Sequence, residues 1–392
     1  MSDTFALVGA AAVLESGELP DSVIVVRGGQ IEAVGAAGEV SLPAGARRID
    51  AKGLLLCAGL LDIQVNGAFG DDFTAQPDTL WRVGELLPRF GVTAFVPTVI
   101  TSSRATRDAA RAALAGGPPP GYRGATPLGL HFEGPFLNPA AAGAHAVELL
   151  RSPAEPDADV ADWSPASGVV MATLAPELPG ALDLTSALVR RGVRVSAGHS
   201  TADYDQAVRG FDAGIRYVTH LFNAMPPLHH RRPGLVGAAL ADERLTVGLI
   251  PDGIHSHPAM VRLVAVAAAG RVSLVTDATA ALGMPPGASH LAGQYVVVDA
   301  TSVRLASDGR LAGSALAPDE ALRRYRAFTG CSVADVVATM TSIPARLLGL
   351  ADMGVLRAGG RADLCLLTPG LEVAATFVGG RSVFEAPAVA AQ

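Results

Sequence analysis

The sequence predicts an α/β protein built as a (β/α)8, TIM-like barrel, with a small β-sandwich domain assembled from both ends of the chain. Three observations predict it. Short β-branched apolar runs alternate with helix-like stretches through the middle of the chain. Alternating β-type segments with Gly-Gly turns flank that region on both sides. The polar residues capable of chemistry fall at the ends of the apolar runs.

In the N-terminal flank, residues 22–27 and 30–34 alternate about Gly28 and Gly29. In the C-terminal flank, residues 362–368 precede a second alternating stretch, 375–384, that turns at Gly379 and Gly380. Paired glycines supply the positive φ of tight hairpins. Neither flank is large enough for a good core alone. Residues 1–58 and 354–392 are therefore expected to pair into one small β domain, leaving residues 59–353 as the barrel unit.

Within that unit the apolar runs are 61–65, 92–97, 127–132, 169–174, 193–197, 216–219, 245–250 and 272–275. Eight strands and their helices in about 220 residues suit a closed parallel barrel. A doubly wound sheet is the alternative, but no glycine-rich phosphate fingerprint follows any of these runs. Two segments break the rhythm. Residues 133–168 form a long Pro/Ala-rich connection holding Phe136, Asn138 and His145, placed to cover the site as a lid. Residues 294–298 and 302–305 read as an inserted hairpin, ahead of closing helices over 318–328 and 333–350, the first with proline in its first turn.

Composition excludes several classes. A net charge of −7 gives no electrostatic basis for nucleic-acid binding. The longest apolar runs fall short of the ~20 residues that cross a bilayer. Cys57, Cys331 and Cys365 are odd in number and widely spaced, which fits neither a disulfide framework nor a cysteine zinc site and points to a reducing, cytoplasmic setting. The apolar stretch 5–14 lacks a basic leader. Lys52 is the only lysine, so no lysine downstream can form a Schiff base or a carbamate bridge between two metals.

The run ends carry the chemistry. Gln64 and Asn66 close the first, Glu133 follows the third, His199 the fifth, His220 the sixth and Asp277 the eighth. A barrel gathers these ends on one face. Glu133, His199 and His220 make an open three-ligand set for one divalent ion, zinc or equally iron, cobalt or manganese. Asp277 is placed to take a proton from the attacking water and return it to a leaving amine. Amides at positions 64 and 66 bind divalent ions far more weakly than imidazoles, so a first metal position there is expected to be vestigial. His145 reads either as a donor to a developing oxyanion or as a solvated loop histidine. Arg231, in the basic run 229–232, reads either as a phosphate ligand or as a solvated loop residue. His255, after the seventh run, could join the same anion site.

The blocks Leu61-Asp-Ile-Gln-Val-Asn-Gly67, His131-Phe-Glu-Gly-Pro-Phe-Leu-Asn138, Ala197-Gly-His-Ser200, Thr219-His-Leu-Phe-Asn-Ala-Met225, Asp252-Gly-Ile-His255, Thr276-Asp277 and Leu311-Ala-Gly-Ser314 run in one order along nearly the whole chain. In this they resemble the N-acetylglucosamine-6-phosphate deacetylases of the amidohydrolase superfamily. Other members of the superfamily carry His-x-His on the first strand, where Gln64 and Asn66 stand here. The resemblance implies a mononuclear metal site of Glu133, His199 and His220, with Asp277 as acid/base and His145 polarising the acetyl carbonyl. It further implies that Asn223, the Ala224 backbone, His255 and Arg231 hold the sugar phosphate. Arg231 would reach in from a neighbouring subunit, which implies a homodimer. Two rival expectations remain: the same chemistry on another N-acyl amino sugar such as N-acetylgalactosamine 6-phosphate, and a non-catalytic sugar-phosphate-binding protein.

Overall fold

The structure is a computed structural model and describes residues 4–299 and 302–387. Its centre is a ring of eight parallel strands: β1 (Leu60–Val65), β2 (Val92–Ile100), β3 (Leu130–Glu133), β4 (Val169–Leu174), β5 (Arg194–Ala197), β6 (Tyr217–Val218), β7 (Thr246–Leu249) and β8 (Val272–Leu274). Neighbours pair in sequence order. The ring closes where the chain beyond β8 meets the end of β1. Asp277 N donates to Gln64 O at 3.0 Å, and Asn66 N donates to Ala278 O at 2.7 Å. This is the (β/α)8 barrel expected from the run spacing.

Three details depart from the sequence reading. The third run is not one strand: Thr126–Pro127 pairs with β2, and β3 begins only at Leu130. Gly129 separates them at φ 131°, where a Cβ would come within 2.4 Å of Val170. The connection from β3 to β4 contains four 3-10 turns and no α-helix. Its far half is fastened by Arg107, whose guanidinium donates to Asp159 from Nε at 2.9 Å and from Nη2 at 2.8 Å, with 1% of the Arg107 residue exposed. The far half of the expected lid is thus a pinned wall. Finally, the closing helix over 333–350 is two helices, Val333–Ala338 and Ser342–Leu348. Pro344 has no N–H to offer the Met340 carbonyl four residues earlier. That carbonyl instead accepts from Leu61 N at 2.7 Å, and Thr339 O accepts from Leu274 N at 3.1 Å. The helix break ties the closing helices to the start of β1 and the last residue of β8.

The two described flanks join one eight-stranded sheet through antiparallel pairing of Leu55–Ala58 with Leu364–Leu367. Phe5 and Phe377 lie three strands apart in it, about 14 Å across a flat sheet. Their rings nevertheless stack at 5.6 Å, so the sheet curls over its own core to make the sandwich. The expected inserted hairpin is a three-stranded sheet, with Gly287–Leu291 added ahead of Gln294–Val298 and Val303–Leu305.

Inside the barrel, Asp62 on β1 is fully buried and accepts from Thr276 Oγ1 at 2.6 Å, joining β1 to the segment after β8. Burial pushes its carboxyl from 3.8 up to about 7, against the opposing hydrogen bonds of Thr276 and Gln64. A folded-state value above the unfolded one means that the stability Asp62 contributes is complete below about pH 4 and is lost as pH rises through about 7. Thermal melts from pH 4 to pH 7 are expected to show a smaller loss of Tm for Asp62→Asn than for the parent protein. Equal losses would mean that Asp62 does not titrate in this range.

Candidate active site

Three of the site residues occupy backbone conformations that side chains usually avoid: His199 at φ 48°, His220 at φ 25° and Asp277 at φ 50°. Left-handed backbone costs a non-glycine residue roughly 1–2 kcal/mol, so the surrounding hydrogen bonds must hold each one there. All three follow barrel strands, where the turn aims the side chain back over the barrel mouth.

Glu133, His199 and His220 converge on a single point. Glu133 Oε1 lies 3.0 Å from His199 Nε2 and 3.1 Å from His220 Nε2, and the two nitrogens are 3.2 Å apart. The residues are only 2–5% exposed. His199 Nδ1 stands 3.0 Å from Ala141 O, which can only accept. The ring proton of neutral His199 therefore sits on Nδ1, and the Nε2 lone pair faces the carboxylate. Lone pairs meeting a carboxylate oxygen in a buried cleft repel unless a proton or a cation lies between them. The edges of this triangle are close to the ~3.3 Å that separates ligand atoms around tetrahedral zinc. The donor set fits one divalent ion.

Electrostatics agree with that arrangement. Burial alone would raise Glu133, but its close contacts with His199 and His220, where a proton or cation held between them favours the charged carboxylate, outweigh it and hold the carboxyl well below its usual range. Asp277 goes the other way: burial, then the charge of Glu133, push it above the usual range. Two nearby carboxyls driven apart in this way suit different roles, one as a permanent ligand and the other as a proton carrier.

His145 also lies close, its ring centroid 4.3 Å from that of His199, and it can bring a donor atom within 4.8 Å of those of Glu133 and His199. Its Nδ1 accepts from Thr101 N at 3.2 Å. A backbone N–H only donates, so the ring proton is on Nε2. His145 is a hydrogen-bond donor here and not a fourth ligand. Burial, then the charge of His199, hold its pKa well below the ordinary histidine value and keep it neutral.

The strand-one amides occupy the gap between the two carboxylates. Gln64 Nε2 lies 3.2 Å from Glu133 Oε2 and 3.1 Å from Asp277 Oδ1, and Asn66 Nδ2 lies 2.7 Å from Asp277 Oδ1.

A sequence profile of the Amidohydrolase family matches residues 55–383. The N-acetylglucosamine-6-phosphate deacetylase of Rattus norvegicus is 38% identical over 86% of this chain and 85% of its own. The chain belongs to the amidohydrolase family. A second relative of this amidohydrolase, the N-acetylgalactosamine-6-phosphate deacetylase of Escherichia coli, is 36% identical over 96% of this chain and 99% of its own. Among solved structures, a mutant N-acetyl-D-glucosamine-6-phosphate deacetylase from Mycobacterium smegmatis, in complex with N-acetyl-D-glucosamine-6-phosphate, superposes with a TM-score of 0.88. It is 32% identical and covers 97% of this chain and 99% of that one.

The amidohydrolase site opens into a cavity of about 340 Å³, lined by Asn66, Glu133, His145, His199, His220 and Asp277 together with Asn223, Ala224 and His255. Every residue singled out in the sequence meets there or directly beneath it, except Arg231, which is exposed and does not line the pocket of its own chain. His255 Nδ1 is fixed by Asp252 Oδ2 at 2.6 Å. Sequence reasoning missed Thr101, which sets the His145 tautomer, although it stands one residue beyond β2 at a strand exit like the others. It also missed Arg310, which lines the pocket from the turn after the inserted sheet, its Nη2 2.7 Å from Asp308. Nothing in the sequence marks that arginine.

If the triangle holds the ion, metal analysis of purified protein is expected to give about one divalent ion per chain. His220→Ala should weaken metal affinity by more than the ~10- to 100-fold typical of losing an outer partner. Full metal content in that variant would place the ion elsewhere.

Proposed function

We propose that this amidohydrolase hydrolyses the acetamide of N-acetylglucosamine 6-phosphate to glucosamine 6-phosphate and acetate. The observation that carries the reading is the meeting, in one pocket, of a buried ligand triangle with a carboxyl of raised pKa and a neutral imidazole donor. The substrate is supported by the deacetylases that this chain resembles over most of its length. The galactosamine epimer is the second reading, favoured by the similarity to the Escherichia coli enzyme.

In this reading Glu133, His199 and His220 hold one divalent ion, zinc before iron, cobalt or manganese. Such an ion polarises the acetamide carbonyl and eases deprotonation of the attacking water. Asp277 takes that proton and passes it to the amine nitrogen as the C–N bond breaks. His145 donates from Nε2 to the carbonyl oxygen as charge gathers on it. Asn223, the Ala224 backbone and His255 receive the sugar phosphate. Arg231 serves the pocket of a second copy in a homodimer, which its exposure and its absence from the lining of its own pocket support. Residues 59–353 form the catalytic unit, and 1–58 with 354–392 the supporting β domain, residues 1–3, 300–301 and 388–392 lying outside those described. Three free cysteines favour a cytoplasmic setting, and no helix among the described residues is long and apolar enough to cross a membrane.

Acetate release from N-acetylglucosamine 6-phosphate is expected to require the metal and to stop on chelation. Asp277→Asn is expected to lower kcat by ~10²- to 10⁴-fold while the metal stays bound. Turnover surviving that substitution would refute the proton-carrier role. Comparing kcat/KM for the glucosamine and galactosamine substrates decides the epimer.

A further inference from the structure

Gln64 and Asn66 do more than mark a missing metal. We propose that they are positioning residues: their side-chain amides select which oxygen of Asp277 carries the proton and which oxygen of Glu133 faces the ligand triangle. The inference rests on the deacetylase reading above and deepens it.

A primary amide nitrogen has two hydrogens, and Gln64 Nε2 directs them to two different carboxylates, Glu133 Oε2 at 3.2 Å and Asp277 Oδ1 at 3.1 Å. Asn66 Nδ2 adds a second donor to the same Asp277 Oδ1 at 2.7 Å. Two donors on one oxygen leave Asp277 Oδ2 as the atom with free capacity to take up and release a proton. Among the described residues Oδ2 has no hydrogen-bond partner, and Asp277 lines the pocket. On the other carboxylate the division is equally clear. Oε1 of Glu133 faces both imidazole Nε2 atoms while Oε2 is occupied by Gln64.

Carboxylates only accept, so both NH2 groups must point at them, and this fixes the amide orientation. The consequence is visible on the other side of each amide. Gln64 Oε1 and Asn66 Oδ1 are buried without a partner among the described residues. Stranding two buried acceptors is unfavourable, and the requirement for donors at the carboxylates offsets it. The backbone holds the arrangement, because Asp277 N donates to Gln64 O at 3.0 Å and Asn66 N donates to Ala278 O at 2.7 Å. Histidine has one hydrogen per ring nitrogen and cannot bridge two carboxylates from a single atom. A third carboxylate would repel both. Glutamine does it without adding charge.

The test uses Asn66→Ala and Gln64→Leu in the metal-loaded protein, with kcat, KM and metal content measured on the same preparations and a crystal structure of each variant. Asn66→Ala is expected to lower kcat by ~10- to 100-fold, the scale of a small misplacement of a reacting group. KM should stay within about twofold and metal content at one per chain. Its structure should show the Asp277 carboxyl rotated. Gln64→Leu should add a loss of metal affinity, because Glu133 Oε2 is then free to turn. A parent-like kcat in Asn66→Ala, or an unmoved Asp277 carboxyl in both crystal structures, would overturn the proposal. So would a loss of kcat, KM and metal together in Asn66→Ala, which is what general unfolding of the site produces. Should the parent protein release no acetate, the deacetylase reading fails by itself, and the Asp277 carboxyl in the variant crystals still decides the positioning role.

Discussion

Glu133 Oε1, His199 Nε2 and His220 Nε2 face one another across 3.0–3.2 Å with almost no water access, and the rest of the site is organised around that contact. Left alone it is unfavourable, since a carboxylate and imidazole lone pairs compete for whatever lies between them. A cation turns the same three atoms into a strong site. The convergence exists because the barrel closes, and closure depends on the pairing between the end of β1 and the chain beyond β8.

Around the triangle, two imidazoles have their tautomers set by neighbours that can only donate or only accept. The carbonyl of Ala141 fixes the proton of His199, and the N–H of Thr101 fixes that of His145. These partners lie on loops after different strands, so the site is tuned by backbone as much as by side chains. Gly134 shows how tightly this is built: at φ 92° it leaves room for Thr101 Oγ1, which would stand 2.2 Å from any Cβ added there. The segment after the inserted sheet closes the other side, where Ser314 N donates to Asp277 O at 2.9 Å.

The strand exits were legible because barrel strands are short, apolar and β-branched, and a polar residue immediately after one stands out. That logic located Gln64, Asn66, Glu133, His199, His220 and Asp277 and the ring that gathers them. It did not see the break at residues 339–341, because hydrophobic periodicity continues through it. Pro344 leaves the Met340 carbonyl without its helical donor, and only the tertiary structure shows that carbonyl redirected to Leu61 on β1. Nor did it see that the far half of the connection after β3 is pinned. Arg107 is one arginine among many in the sequence, and its burial against Asp159 depends on folding. The amides at 64 and 66 were read from what they cannot ligate. Their donors became meaningful only once two carboxylates were found on either side of them.

The central claim is one metal position framed by Glu133, His199 and His220, with the strand-one amides serving as donors and not as ligands. Anomalous diffraction from crystals of the metal-loaded protein tests it most directly. The account predicts a single strong peak per chain, within bonding distance of Glu133 Oε1, His199 Nε2 and His220 Nε2. A second peak coordinated by Gln64 or Asn66, or a peak held by His145 in place of His220, would contradict it.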